Sequence, residues 1–295
     1  MKQSKTLGIT FAITGILLFS SKAVMVKLSY LHGADSISIL LLRMLFSLPF
    51  YIATSIIKRP KEKIAGKDYL WLFGLGIIGY YLASYFDFLG LQYIKASLER
   101  LILFVYPTLV LLMSYFIFGK TITRQQIIGV IVTYLGVVVI FSNELSLSDS
   151  NDVLLGGTLV FLSALTYAGY ITGSGWIIPK FGATVFTSYA MMISCGCVIV
   201  HYIVLGQTNL FEFEAEVYWI GFAMAVFATV IPSYLISYSI KILGSGNFSI
   251  FGSLGPVSTI GLAYIFLDES LTIIQLLGSV VIIGGIFLAE RKLKK

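Results

Sequence analysis

Apolar runs of about twenty residues recur along this chain from residue 7 to residue 289. Each has the length that a hydrocarbon core of about 30 Å asks of a helix. Ten runs read as spans: about 7–30, 36–57, 68–90, 97–118, 124–141, 154–178, 183–205, 216–240, 247–267 and 272–289. Of 295 residues, 58% are apolar and 12% are charged, against about 25% charged in ordinary soluble domains. Mean hydropathy is +0.94, and no soluble interior is large enough to hide that much apolar surface. The runs continue to the end of the chain, so a cleaved leader does not account for them. The joining segments are too brief for a separate soluble domain. The sequence predicts an all-α polytopic membrane protein of ten transmembrane helices.

The charges orient it. With the N-terminus in the cytoplasm, Lys58, Arg59, Lys61, Lys63 and Lys67 fall on the cytoplasmic side. So do Lys120, Arg124, Lys180, Lys241 and the tail Arg291, Lys292, Lys294 and Lys295. The opposite side carries Asp149, Asp152, Glu212, Glu214 and Glu216 with almost no base. This is the positive-inside pattern, with both termini cytoplasmic. The net +6 charge therefore reads as a topology signal in short loops and not as a nucleic-acid surface.

The chain also repeats at a shift of 149 positions. Tyr85 matches Tyr234, Pro107 matches Pro256 and Tyr115 matches Tyr264. Thr123, Gln126, Gly129 and Gly136 match Thr272, Gln275, Gly278 and Gly285. Five spans per half is an odd number, which sets the halves in opposite orientations. The turn that is basic in the first half (Lys120, Arg124) is acidic in the second (Asp268, Glu269). Inverted repeats build transporters whose central site opens to one side and then the other.

Other chemistry is sparse. Cys195 and Cys197 are two apart in an apolar run and point to different faces of a helix. His32 and His201 are the two histidines, with no metal-ligand spacing. No nucleotide-binding, HExxH or GxSxG pattern with a credible partner set occurs. Neither a metal nor a cofactor is expected, and an enzymatic role, such as a membrane-embedded enzyme acting on lipid, is a remote alternative.

Several stretches resemble the drug/metabolite transporter superfamily, specifically the EamA-type exporters. AVMVKLSY (Ala23–Tyr30) followed by LLRMLFSLPF (Leu41–Phe50) is similar to that family's first two helices. ASLERLILFVYPTLVLL (Ala96–Leu112) is similar to its fourth, and Gly255–Gly285 to the end of its domain. The resemblance implies two EamA-like five-helix repeats, 1–146 and 147–295. It also implies export of small solutes, a class that includes amino acids, other metabolites and drug-like compounds. There are departures: Lys120 stands where the family often has Glu, and Phe19-Ser20 replaces a tryptophan–glycine pair in the first helix.

Charges inside spans are costly and mark function or pairing. Lys22 and Lys27 fall in the first span, Arg43 in the second, Asp87 in the third, and Glu99 with Arg100 at the start of the fourth. They are candidates for a polar network around a cavity and its external gate. A zwitterionic solute can use a carboxylate for its amine and a Lys or Arg for its carboxylate. Against this, Glu99 also suits a helix N-terminus at the outer interface. Arg100 reads there as a structural residue reaching phosphate or a partner. Tyr80, Tyr81, Tyr106, Tyr167, Tyr170 and Trp176 are candidate cavity walls. Pro107 and Pro256 are candidate helix kinks, placed alike in the two halves.

The functional expectation is a secondary-active or facilitative exporter of small metabolites, amino acids foremost, working by alternating access. Multidrug or other organic-solute efflux, with or without proton coupling, is the alternative. The expected partners are a small-molecule substrate and membrane lipids, and no nucleic acid. Both monomer and homodimer remain open. The expected location is the plasma membrane, the inner one in a double-membraned cell.

Overall fold

In a bilayer every backbone polar group needs a partner within the protein, which leaves helices and closed barrels as spanning structures. The chain uses helices, and no strand occurs among the described residues. The structure is a computed structural model, and it describes residues 2–58, 64–119, 122–147, 150–205, 208–269 and 272–290. Arg59, Lys61, Lys63, Lys120, Asp149, Arg291, Lys292, Lys294 and Lys295 lie outside the described residues.

The first half comprises α1 (Lys2–Ser20), α2 (Lys22–Leu31), α3 (Ser36–Ile57), α4 (Gly66–Gly76) and α5 (Ala83–Gly90). It continues with α6 (Ala96–Leu103), α7 (Tyr106–Phe118) and α8 (Arg124–Leu147). The second comprises α9 (Ser150–Phe181), α10 (Ala183–Leu205), α11 (Ala215–Ala225), α12 (Ile231–Leu243), α13 (Ser245–Ile250), α14 (Leu254–Leu267) and α15 (Ile273–Glu290). Among the described residues, seven helical stretches are long and apolar enough to cross a membrane; Arg124–Ile140, Leu254–Leu267 and Ile273–Gly285 are shorter apolar helices. The apolar part of α8 stops at Ile140, and α14 is cut short by a break at its start. The protein is thus an all-helical, multi-pass membrane protein.

The irregularities repeat as the sequence does. Ile77–Leu82 and Val226–Val230, 149 positions apart, both wind as π-helix. The chain breaks over 104–105, between α6 and α7, with Pro107 in the first turn of α7. In the second half a 3-10 turn, Phe251–Ser253, separates α13 from α14 and precedes Pro256. Thr123 and Gln126 exchange hydrogen bonds with each other's backbone N–H (2.8 and 3.3 Å) ahead of α8. Thr272 and Gln275 do the same (2.9 and 3.2 Å) ahead of α15. Each pair is a capping box. Gly119 and Asp268 close α7 and α14 in the left-handed region, with φ of 64° and 53°.

The halves pack reciprocally. Helix α8 lies against α15 through paired glycines. A Cβ on Gly136 would stand 3.0 Å from Gly278 O, and one on Gly285 2.8 Å from Gly129 O. Exchanging the halves turns one contact into the other. Likewise α1 packs on α12 as α9 packs on α5, and α6 on α14 as α13 on α7. Across α3 and α10, Cys195 Sγ donates to Met44 O (3.5 Å) and Thr54 Oγ1 bonds Ser188 Oγ (2.7 Å), an antiparallel pairing. Antiparallel self-pairing of α8/α15 and α3/α10 requires a two-fold axis that runs across the helices, not along them.

One end of the bundle carries Asp35, Glu214 and Glu269; the other carries Lys58, Lys180 and Lys241. Asp35 N-caps α3. Its carboxylate accepts from Ile37 N and Ser38 N (both 2.9 Å) and from Ser38 Oγ (2.6 Å). Partial burial alone would raise its pKa. These donors and Thr208 outweigh that, holding it below the ordinary value.

Candidate functional site

Four charged side chains meet where the broken helices come together. Lys22 opens α2 directly after Ser20 and Ser21. The hydroxyls of both serines bond back to carbonyls of α1, at Ile16 and Leu18 (both 2.7 Å), a pattern that bends helices. Lys22 Nζ lies 2.5 Å from Asp87 Oδ2 on α5, with side chains 3% and 0% exposed. The Glu99 carboxyl adjoins Asp87, and neither Glu99 oxygen has a good hydrogen-bond partner. Arg100 Nε donates to Thr259 Oγ1 at 2.9 Å and stands 4.0 Å from Glu99 Oε2. Its Nη2 approaches the Ser20 and Phe19 carbonyls at 3.4 and 3.5 Å, and Thr259 Oγ1 donates to Ser20 O at 2.9 Å. All four charged groups are buried. Two cations and two acids together offset part of a desolvation cost that each alone would carry in full.

Beside this cluster is a cavity lined by Phe19, Lys22, Gly79, Tyr80, Ala83, Ser84, Leu103, Ser163 and Tyr167. Its free volume, about 10 Å³, admits one water at most. A solute enters only when the surrounding helices part. The π-helical turn supplies Gly79 and Tyr80, and the Tyr170 ring lies so close to Gly79 that a side chain there would collide with it. Tyr80 meets Tyr170 edge-on with centroids 5.0 Å apart, and Tyr106 meets Tyr167 at 5.2 Å. π-Bulges of this kind recur at functional sites.

Arg43 is fully buried on α3, and none of its three guanidinium nitrogens has a hydrogen-bond partner among the described residues. It lies over the Phe88 ring at 4.8 Å; Lys22 lies 5.9 Å from the same ring. The Tyr51, Asp87 and Tyr80 side chains are its electrostatic neighbours. From Tyr51 a track of hydroxyls runs between α3, α10 and α12. Tyr51 bonds Ser233 (2.8 Å), Tyr234 bonds Thr54 (2.5 Å) and Ser188 (2.9 Å), and Thr187 donates to Ser237 (2.6 Å). The last rung, Thr184 with Tyr238 (2.6 Å), lies in a groove of about 390 Å³ that Lys58, Lys180 and Lys241 rim.

At the Asp35 end, Glu269 closes the bundle. Its carboxylate accepts from Ala96 N and Ser97 N (both 2.9 Å) and from Ser97 Oγ (2.7 Å). Lys27 is its electrostatic partner. Of the residues singled out from sequence, Lys22, Asp87, Glu99, Tyr80, Tyr106, Tyr167 and Tyr170 thus gather around the central cavity. Arg43 stands across Phe88 from them, and Lys27 sits above with Glu269. Tyr81 and Trp176 do not join them. Tyr81 bonds His201 (3.1 Å) in an apolar groove between α4–α5 and α10. Trp176 is 38% exposed, stacked edge-on against Trp71 and lying under Lys180. Both residues lie apart from the charged cluster, a distinction that helical spacing alone does not make. Arg100 reaches no phosphate: α6 is buried throughout, so its guanidinium is taken up by Thr259 and Ser20. Thr259 and Phe88 carry no charge signal in the sequence, and Ser20 is marked there only by its place in a family departure. The Phe19-Ser20 departure was the available pointer.

Paired discontinuous helices, a two-fold across the membrane-crossing helices and a buried charged centre define a membrane transporter. The EamA-like transporter family model matches residues 6–142 and again 154–291. The chain belongs to the EamA-like transporter family, within the drug/metabolite transporter superfamily. It is 29% identical over 304 residues to the uncharacterized transporter YcbK of Bacillus subtilis (strain 168), covering 97% of this chain and 94% of that protein. It is 27% identical over 241 residues to an uncharacterized transporter of Archaeoglobus fulgidus, covering 78% and 81%. A solved crystal structure superposes with a TM-score of 0.69 over 100% of both chains at 17% identity, a likeness of fold.

Proposed function

We propose that this protein exports small amphipathic metabolites, amino acids foremost, by alternating access. In this reading ten spans form two inverted five-helix repeats, 1–146 and 147–295, with both termini in the cytoplasm and the protein in the plasma membrane. The observation that carries it is the Lys22–Asp87–Glu99–Arg100 cluster, buried at the meeting point of broken helices from both halves. The Lys58 end is then cytoplasmic by its basic rim, and the Glu269 contact is the external gate. Asp87 and Glu99 receive the substrate's ammonium group; a Lys or Arg receives its carboxylate. Tyr80, Tyr106, Tyr167 and Tyr170 wall its apolar part, while Lys27 belongs to the gate. The breaks before Pro107 and Pro256 supply the bending points. Nothing covalent takes place.

The test is export from intact cells. Cells expressing the protein are compared with matched controls, and amino acids, nucleobases and other small metabolites in the medium are quantified over time. Selective accumulation of amino acids is expected, with Glu99→Gln lowering it at equal protein abundance. Wild-type export by Glu99→Gln would remove Glu99 from the site. Accumulation only of dyes or drug-like cations would move the protein to multidrug efflux. Proton coupling is the second reading for the energy source, favoured by the adjoining carboxyls of Asp87 and Glu99. It predicts solute-driven alkalinisation or acidification of a liposome lumen, which facilitated flux does not produce.

A further inference from the structure

We infer that Arg43 is the station for the substrate's carboxylate, reached from the Lys58 end along the hydroxyl track. This rests on the transport reading and chooses among the cations that reading leaves available. Lys22 is held by Asp87, and Arg100 is spent on Thr259 and the Ser20 carbonyl. Lys27 faces Glu269. Arg43 alone of these four combines complete burial with three unpartnered nitrogens. A guanidinium in that state is expensive to bury and is not explained by packing on Phe88, since a cation–π contact leaves every N–H unbonded. A planar, forked donor matches a planar carboxylate through two parallel hydrogen bonds.

The approach is built of compatible groups. Arg43 lies 15 residues along α3 from Lys58, on the order of 22 Å of helix. Between them Thr54 and Tyr51 continue the hydroxyl track, and no carboxylate belongs to any of its rungs. Asp68, an acid among the described residues near the basic rim, is bound to Lys180 at 2.6 Å. Cations at the mouth and hydroxyls along the way suit an anion throughout. The acid whose field Arg43 feels is Asp87, across Phe88. A carboxylate on Arg43 therefore leaves the same solute's ammonium group facing Asp87, which orders an amino acid head-first between the two.

Cys195 is a further electrostatic neighbour of Arg43 and serves as a reporter that needs no knowledge of the substrate. In the full chain carrying Cys197→Ser, Cys195 is the sole thiol. The protein is placed in liposomes, and labelling of Cys195 is timed with sulfonatoethyl methanethiosulfonate, an anion, and with trimethylammonioethyl methanethiosulfonate, a cation. Each rate is divided by the same reagent's rate with free cysteine, and the normalised rate of the anionic reagent is expected to be at least about tenfold higher, as a cation beside the thiol dictates. Arg43→Met removes the preference and Arg43→Lys keeps it. Equal normalised rates, a preference that survives Arg43→Met, or no labelling by either reagent in folded protein would each overturn the assignment. The export assay on the same wild-type protein separates the two failures. Export without reagent preference refutes the Arg43 station alone. Preference without export of any solute refutes transport and leaves an anion site at Arg43.

Discussion

Glu269 is the residue whose removal has the most direct physical consequence. Helix α6 begins at Ala96, and the first N–H groups of any helix have no carbonyl partner within it. Ala96 N and Ser97 N are buried and donate to the two oxygens of Glu269, a residue 173 and 172 positions away in the other half. Loss of a side-chain cap costs about 0.5–2 kcal/mol, and loss of an anion from a helix N-terminus about 0.3–1 kcal/mol. Glu269→Ala should therefore weaken this closure by about 1–3 kcal/mol, or roughly 5- to 150-fold in the open population. Amide hydrogen exchange reads that number without a substrate. In peptides covering 92–103, Ala96 and Ser97 should exchange faster by that factor. Glu269→Gln, which keeps an uncharged acceptor, should fall between. Exchange at wild-type rates in Glu269→Ala would refute the view that this carboxylate closes the Asp35 end.

Three further perturbations test other parts of the structure. Lys22→Met strands Asp87 in the interior, a loss of about 3–5 kcal/mol; the double variant with Asp87→Leu should recover thermal stability and still export nothing. Gly285→Ala drives a Cβ to 2.6 Å from Thr133 N and Oγ1, where backbone must yield. It should lower the melting temperature by the equivalent of about 1–3 kcal/mol, while Gly284→Ala, which meets nothing within 4 Å, is neutral. Asp35→Asn tests a cap through pH. The folded Asp35 carboxyl titrates below its ordinary value, so its stabilisation is complete above the unfolded value near 3.9 and is lost as pH falls through the folded one. The stability gap between wild type and Asp35→Asn should close in that acid window and persist at neutral pH.

What the sequence made legible were the properties that are local or periodic. Apolar runs gave the helices, and the match of Gly129 and Gly136 with Gly278 and Gly285 marked two positions that meet across the two-fold. Charges in the first, third and fourth spans marked helices that the structure joins in one buried cluster. Neighbourhood across the halves was not legible. Glu269 reads as a loop acid at one end of its helix, and only the fold brings it to Ala96. Thr259 and Ser20 are small hydroxyls in apolar context, with nothing to separate them from packing residues until Arg100 lies beside them. Glu99 and Arg100 read as an interfacial helix start. The structure buries both, because Glu269 has taken over the capping role and freed Glu99 to turn inward.

The scaffold and the chemistry obey different symmetries. Glycines, capping boxes, π-turns and helix breaks recur in both halves. The charges do not: 149 positions beyond Lys22, Arg43, Asp87 and Glu99 stand Ile171, Met192, Ile236 and Phe248. In the alternating-access reading proposed above, a symmetric scaffold offers two packings of similar energy related by the two-fold, one open at each end. Asymmetric charges then decide between them. Glu269 accepts the N–H groups that begin α6, whereas the residue 149 positions before it in sequence is Lys120, whose side chain is a cation without an acceptor. The end that Glu269 closes is accordingly favoured by the energy of one charged cap. In that same reading, a solute that draws Lys27 from Glu269, or pulls Asp87 and Arg43 together across Phe88, acts against the bias with energy of the same order.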